Sequence, residues 1–331
     1  MKNVLVTGGG GFVGSVLVRQ LLESGSNVIV AARNRYQELE TLGAVSRVGD
    51  IADRTFVDEI CRDVDTVFHT AAKAGIWGKW EEYERTNVEG TRNIILACKK
   101  HAVQRLVYTS TPSVVFDQDD IRNGDESLPY SSTFLCNYAR SKAVAEELVL
   151  RANGSSFYSC AIRPHLVWGP HDPHLIPRLI ERGKNRSLKI IGSGENLVDI
   201  TYVDNVAHAH ILAAESMEKS SKIGGQAYFI GQERPVKLWE WINELYRDLN
   251  IDPVESHVSF HVAYFIGMIL EKTYSLFSVS KEPRMTRFIA EQLARSHYFK
   301  HDKARKDFGY KPIVSLEEGH NRLMQWLGES R

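Results

Sequence analysis

From Val4 to Gly14 the chain reads Val-Leu-Val-Thr-Gly-Gly-Gly-Gly-Phe-Val-Gly, and this stretch limits the possible folds more than any other. Val4–Val6 is an apolar run of strand type, and the helical pattern Val13–Leu22 follows the glycines without a spacer. Strand, glycine turn and helix N-terminus in that order make a dinucleotide-binding fingerprint. Gly8 lets the chain turn, Gly11 lets the backbone approach a pyrophosphate, and Gly14 lets the helix lie close on the strand. The pyrophosphate then meets the free N–H groups and positive dipole end of the helix that Phe12 and Val13 open.

The second strand, Asn27–Ala32, bears on which dinucleotide is taken. An acidic residue at its end would accept hydrogen bonds from a ribose 2′-hydroxyl and repel a 2′-phosphate. Ala32 occupies that place, with Arg33 next and Arg35 close behind. A guanidinium fork suits a phosphate dianion, so NADP(H) is expected in preference to NAD(H). Val45–Val48 and Val64–His69 read as further strands. Thr70-Ala71-Ala72-Lys73-Ala74-Gly75 follows the second of them, small enough to let a cofactor approach at the usual crevice of an open α/β sheet.

Farther on, Arg105–Thr109 is a fifth strand ending in Ser110-Thr111-Pro112-Ser113, and Tyr138-Ala-Arg-Ser-Lys142 opens a helical run to Leu150. Residues four apart share a helix face, so this phenol and this ammonium can address one ligand. Of thirteen tyrosines, only Tyr138 has a lysine four residues on. Reduction of a carbonyl needs a proton for the developing alkoxide and donors at its oxygen. Tyr138 is the expected acid, its ordinary pKa of about 10 lowered by the Lys142 ammonium and the cofactor. Lys142 is also expected to hold the nicotinamide ribose.

Charge and composition exclude other classes. Lys+Arg and Asp+Glu both number 41, so no net field draws nucleic acid or anionic lipid to the chain. Cys61, Cys98, Cys136 and Cys160 form no C-x-x-C pair, which fits a reducing compartment. Met1-Lys2-Asn3 runs straight into the first strand without a signal peptide, which makes the cytoplasm the expected location. Val262–Leu270, continued after Glu271-Lys272 by Tyr274–Val279, is too short and interrupted to span a bilayer; a buried helix is expected, or else the wall of a lipid pocket. The pairs His171/His174, His257/His261 and His297/His301 lack a third ligand, so no metal is expected.

The remaining chain alternates strands (Ser159–Arg163, Leu188–Ile191, Ala227–Ile230, Tyr298–Lys300) with helices. Those helices are Tyr83–Lys100, Leu175–Arg182, Val206–Glu215, Lys237–Leu249, Arg287–Ala294, Asp302–Phe308 and Leu316–Leu327. The expected class is therefore α/β: a Rossmann-type, doubly wound parallel sheet with a smaller, mostly C-terminal α/β lobe. The cofactor lobe is expected over 1–164 and about 199–230, and the substrate lobe over about 165–198 and 231–331.

Glycines at 8, 11 and 14 with Thr7 before them, together with Tyr138-x-x-x-Lys142, resemble the extended short-chain dehydrogenase/reductase family over essentially the whole chain. That resemblance implies that Asp50 and Ile51 contact the adenine and that Asn87 supports the active site. It also implies that Thr111, rather than Ser110, holds the substrate oxygen, and that Pro164 and Leu166 lie at the cofactor. The family is commonly dimeric through the helices near Asn87 and Tyr138, so a homodimer is expected. Where sugar-nucleotide epimerases carry R-x-x-N-x-x-G-P, this chain has Leu166 in Arg163-Pro-His-Leu-Val-Trp-Gly-Pro170; where they carry Arg before D-x-x-x-V-D, it has Val198. Both changes suit a hydrophobic substrate pocket. The segment Val258–Val279 and the ending Ala304–Pro312 resemble the 3β-hydroxysteroid dehydrogenase branch. Ala71–Gly78, Tyr108–Val114 and Thr286–Leu293 resemble the bacterial reductases of 2-alkyl-3-oxoalkanoates in long-chain olefin biosynthesis. That likeness implies NADPH-dependent reduction of a β-keto acid made by condensing two acyl chains, with the condensing enzymes as pathway partners. A 3β-hydroxysteroid or sterol dehydrogenase is the alternative; an epimerase or dehydratase and a non-catalytic NADP-sensing protein are further ones.

Overall fold

The computed structural model describes residues 1–219 and 221–329. Residues 220, 330 and 331, which fall within the expected lobe ranges, lie outside the described residues. Seven parallel strands form the main sheet: β1 (Asn3–Thr7), β2 (Asn27–Ala32), β3 (Val45–Val48), β4 (Thr66–His69), β5 (Arg105–Thr109), β6 (Tyr158–Pro164) and β7 (Ala227–Ile230). Their order is β7-β6-β5-β4-β1-β2-β3, so the winding reverses between β1 and β4, and a crevice opens beyond their carboxyl ends.

Strict alternation in β1 shows why this sheet is covered on both faces. Val4 and Val6 pack on one face with Leu17, Val18 and Leu21 of α1 (Phe12–Glu23), and Leu5 packs on the other among Ile94, Cys98 and Val149. Ile94 and Cys98 belong to α2 (Gly90–Lys100), and Val149 to α3 (Asn137–Ala152). The expected helix Tyr83–Lys100 is not uniform: Glu84–Glu89 is a π-helical segment, and Asn87 sits inside it. Short helices at Gln37–Thr41 and Arg54–Ile60 carry too few apolar repeats to be read from the sequence.

A second sheet has the order Val236–Lys237, Leu197–Val198, His297–Phe299, Ile121–Gly124. The sequence signals no strand at Ile121–Gly124, whose partner lies far along the chain at His297–Phe299. Around this sheet Trp168 and Tyr202, with Trp239, Trp241 and Tyr246 of α4 (Leu238–Asp248), form an aromatic core with Val198 and Ile200.

The apolar run after Val258 forms α5 (Phe260–Leu276), one helix that Glu271-Lys272 does not break, followed by α6 (Arg287–Ala294). The expectation of a buried helix fails here. Only Ala263 and Gly267 of α5 are buried, and Val262, Phe265, Ile266 and Ile269 face outward. The helix is apolar on more than one side, which composition alone cannot distinguish from burial.

Candidate active site

Gly8 directly follows β1 with φ +70°, a conformation open to glycine at little cost. A Cβ on it would stand 2.7 Å from the Ala71 backbone, and one on Gly14 would strike the Gly8 carbonyl. Gly11 caps α1 without a side-chain hydrogen bond, so the first N–H groups of Phe12, Val13 and Gly14 are left free for an anion. The residues after β1 and β4 thus form a cradle at the switch point, and they fit the pyrophosphate of a dinucleotide.

At the end of β2, Arg33 is exposed and makes no hydrogen bond or ion pair among the described residues. Arg35 is engaged instead, with its Nε 2.8 and 2.9 Å from the two Glu40 carboxylate oxygens. Of the two arginines, Arg33 is the one free to meet a ribose phosphate. Asp50 accepts from Arg85 at 2.6 Å and from the Ala52 N–H at 2.9 Å, and its pKa is lowered by these bonds and the nearby cations against the opposing effect of burial. Ile51 is buried against Gly90. Lys73 pairs through Nζ with Glu82 at 2.9 Å. Pro164 closes β6, and Leu166 just beyond it holds a positive φ of 38°.

Asn87 ties the crevice to the catalytic helix. Its Oδ1 accepts from the Lys73 N–H at 2.7 Å, and its Nδ2 donates to the Lys73 carbonyl at 3.1 Å and to Ser141 Oγ at 2.9 Å. Ser141 in turn donates to the Tyr138 carbonyl at 2.8 Å. A second buried chain reaches Asn87 from β1. Thr91 Oγ1 donates to the Asn87 carbonyl at 2.6 Å, so His69 Nε2, 2.9 Å away, must donate to Thr91. His69 Nδ1 then accepts from Thr7 Oγ1 at 2.6 Å. Burial lowers the His69 pKa to about 3, so the imidazole stays neutral and the pattern is fixed at physiological pH. Sequence spacing gave no signal for His69; only the fold brings it to Thr91.

Tyr138 and Lys142 lie one turn apart on α3, and Thr111, beside the end of β5, is near enough to the Tyr138 phenol to pull its pKa down against burial, while its own hydroxyl donates to Ser113 Oγ at 3.2 Å. Thr111 Oγ1 also accepts the Ser113 N–H at 3.2 Å, which holds it as the cap of the turn Pro112–Val114. Lys142 is buried; its Nζ donates to the Thr109 carbonyl at 2.5 Å and lies 4.0 Å over the Tyr108 ring. Thr109 Oγ1 lies 2.7 Å from Nε2 of His210, whose Nδ1 bonds the Val206 carbonyl at 2.7 Å. His210 is therefore also neutral, its pKa lowered by burial to about 4.

The expected acidity is corrected by these surroundings. Burial pushes Tyr138 up to about 12, Thr111 offsetting only part of that rise. Lys142 carries the opposite shift: burial lowers it to about 7, with Glu146 one turn on pulling upward. In both side chains desolvation outweighs the neighbour that opposes it, Thr111 for the phenol and Glu146 for the ammonium. A phenol so shifted stays protonated and is a proton reservoir for reduction.

A cleft of about 1160 Å³ opens beside the start of α3. Ile76, Trp77, Phe134, Met268, Tyr274 and Leu276 supply its apolar lining; Lys73 and Arg287 line it paired with Glu82 and Glu271, which line it too, and Lys79 and Lys272 line it with no ion pair among the described residues. Val198 belongs to the aromatic core instead and Leu166 packs against that core, so neither lines this cleft. The expectation that both replacements shape the pocket is corrected. His297 bonds His165 at 2.6 Å and His301 bonds Asp199 at 3.2 Å, so these histidines serve packing contacts.

A parallel sheet with a glycine cradle at its switch point and a Tyr–Lys pair one helical turn apart define an NAD(P)-dependent oxidoreductase. A profile of the 3-beta hydroxysteroid dehydrogenase/isomerase family matches residues 5–261, and the chain belongs to that family. It is 44% identical to a 2-alkyl-3-oxoalkanoate reductase of Shewanella oneidensis, over 98% of this chain and 86% of that protein. It is 45% identical to the enzyme of that name from Stenotrophomonas maltophilia, over 97% of this chain and 98% of that protein. A mouse sterol-4-alpha-carboxylate 3-dehydrogenase (decarboxylating) is 36% identical over 98% of this chain and 90% of its own. Among solved structures, gox2253 superposes with a TM-score of 0.81 at 27% identity, covering 100% of this chain and 99% of that one. MoeE5 in complex with UDP-glucose and NAD gives 0.75 at 28%, covering 99% of each chain.

Proposed function

We propose that this enzyme uses NADPH to reduce the 3-keto group of a long-chain 2-alkyl-3-oxoalkanoate, giving the 2-alkyl-3-hydroxyalkanoate. The observation that carries the reading is Tyr138, Thr111 and Lys142 gathered at the crevice beside a cleft with apolar walls and two unpaired lysines, Lys79 and Lys272, in its lining. Such a cleft suits an acyl chain bearing a carboxylate. The names of the two bacterial relatives support the substrate class.

The cradle of Gly8, Gly11, Phe12, Val13 and Gly14 would hold the pyrophosphate, Arg33 the 2′-phosphate, and Asp50 and Ile51 the adenine. Ala71, Ala72, Lys73, Asn87, Pro164 and Leu166 would complete the contacts toward the nicotinamide end. When bound there, the dihydronicotinamide would supply the hydride that the substrate's carbonyl carbon takes up. Tyr138 gives its phenolic proton to the carbonyl oxygen, and the Thr111 hydroxyl donates to that oxygen as charge grows on it. Lys142 orients the nicotinamide ribose and favours the phenolate left behind. Asn87, through Ser141 and Lys73, keeps the helix and the crevice loop in register.

The cofactor lobe is assigned to 1–164 and about 199–230, with Ile121–Gly124 contributing its strand to the other sheet, and the substrate lobe to about 165–198 and 231–331. A cytoplasmic homodimer packed through α2 and α3 is the expected assembly, and Leu96, exposed on α2, is available to it. Sterol dehydrogenation is the second reading, favoured by the mouse relative. Steady-state NADPH oxidation with 2-alkyl-3-oxoalkanoates, 3-ketosteroids and UDP-sugars in parallel separates the readings, and silence with all of them would favour an NADP-sensing role.

A further inference from the structure

Twelve large apolar side chains are exposed among the described residues, and seven of them lie in one segment: Val262, Phe265, Ile266, Ile269, Leu276, Phe277 and Val279. Their spacing places Val262, Phe265, Ile266, Ile269 and Leu276 along one stripe of α5. Thr273 lies on the same stripe, and its hydroxyl is turned back to the Ile269 carbonyl at 2.7 Å. Phe265 is 56% exposed, Phe277 70% and Leu276 79%, so the stripe is not a scatter of partly covered residues.

Within residues 260–284 both carboxylates are paired and three cations are not. Glu271 is bound by Arg287 at 2.7 Å and Glu282 by Arg178 at 2.9 Å. Lys272, Lys281 and the Arg284 side chain are exposed and form no ion pair among the described residues. An apolar stripe edged by unpaired cations, on a helix too short to cross a bilayer, matches a helix lying flat in an anionic lipid interface. A second copy of the chain fits less well, because a two-fold contact through this stripe would bring those cations toward their own copies. The chain's zero net charge does not oppose this, since the attraction is local.

The stripe also continues into the cleft. Met268 and Tyr274 of α5 line it from the inner side, and Leu276 and Val279 belong to both surfaces. Trp77 fastens the end of the segment to the loop after β4, its indole N–H donating to the Val279 carbonyl at 3.0 Å. We propose that α5 and the residues to Val279 dock on an anionic lipid surface, with the mouth of the cleft at the interface, so that a lipid acid enters without crossing water. The proposal extends the functional reading but does not depend on which acid is reduced, and vesicle binding is read without turnover.

The test is flotation of the full chain with phosphatidylcholine vesicles, with and without phosphatidylglycerol. The chain should float with the anionic vesicles and far less with neutral ones. Phe265→Glu with Ile269→Glu should cut the bound fraction about tenfold or more, since the apolar anchor is lost. Lys281→Glu with Arg284→Glu should remove the preference for anionic vesicles, at about fivefold per charge. Thermal unfolding midpoints close to the parent's show that both variants fold. Wild-type protein left in the soluble fraction with the anionic vesicles overturns the proposal, as does a Phe265/Ile269 variant that floats like the parent. A dimer that dissociates in that variant, with no flotation of the parent, assigns the face to a second copy and equally overturns it.

Discussion

The Lys142 ammonium lies 2.5 Å from the carbonyl oxygen of Thr109, the last residue of β5 and two residues before Thr111. This bond fixes the lysine against β5, while burial draws its pKa down to about 7. Near neutrality the side chain is therefore poised between charged and neutral forms, whereas Tyr138 at about 12 remains a phenol.

A pH dependence follows from that difference. Lys142 is charged below about 7 and neutral above it, so an ammonium needed to hold the cofactor ribose is lost as pH rises. Measured as kcat/KM for the cofactor, which reports groups of the free enzyme, activity should fall through neutrality. Lys142→Arg should move that fall to much higher pH. A flat profile across neutral pH would contradict the assignment.

Glu146 and Arg163 make a buried ion pair with Nε–Oε2 3.0 Å and Nη2–Oε1 2.5 Å, and the Tyr130 hydroxyl adds a bond at 2.9 Å. Arg163→Met would leave the carboxylate buried without its cation, a loss of about 3–5 kcal/mol in unfolding free energy. Chemical denaturation reads it directly, and a change below about 1 kcal/mol would show that the site relaxes or admits water. Glu146→Gln should in addition shift the Lys142 fall to lower pH, because Glu146 is the group that raises that lysine.

Arg33→Ala should weaken NADPH by about 1.5–3 kcal/mol, the value of a charged hydrogen bond, and leave NADH affinity nearly unchanged. Titration of both cofactors against both proteins measures this. Equal affinity of the parent for the two would remove Arg33 from the phosphate site.

Tyr138→Phe should abolish turnover while retaining cofactor affinity, since only the proton donor is removed. Thr111→Ala should slow turnover less, because the phenol still reaches the substrate oxygen. Near-normal rates in the Tyr138 variant would require another acid.

Much of this was legible in the sequence because it is local. Short continuous apolar runs predict β1 and its neighbours, glycine spacing predicts the cradle, and a four-residue interval predicts that Tyr138 and Lys142 share a face. What was not legible depends on distant chain. Ile121–Gly124 becomes a strand only against His297–Phe299, and His69 and His210 acquire partners only when the sheet assembles. The direction of the Tyr138 shift was misjudged because spacing reveals a nearby cation but not the depth of burial. For α5 the error ran the other way: its composition suggested burial, and the fold left its apolar stripe outside.

The central claim is tested most directly by kcat/KM for a series of 2-alkyl-3-keto acids of increasing alkyl length, measured with NADPH beside a 3-ketosteroid. Each methylene buried in the cleft should contribute about 0.8 kcal/mol, so efficiency should climb about fourfold per carbon until the cleft is full. The account predicts that ladder, with little steroid reduction. A flat series together with strong steroid activity would contradict it.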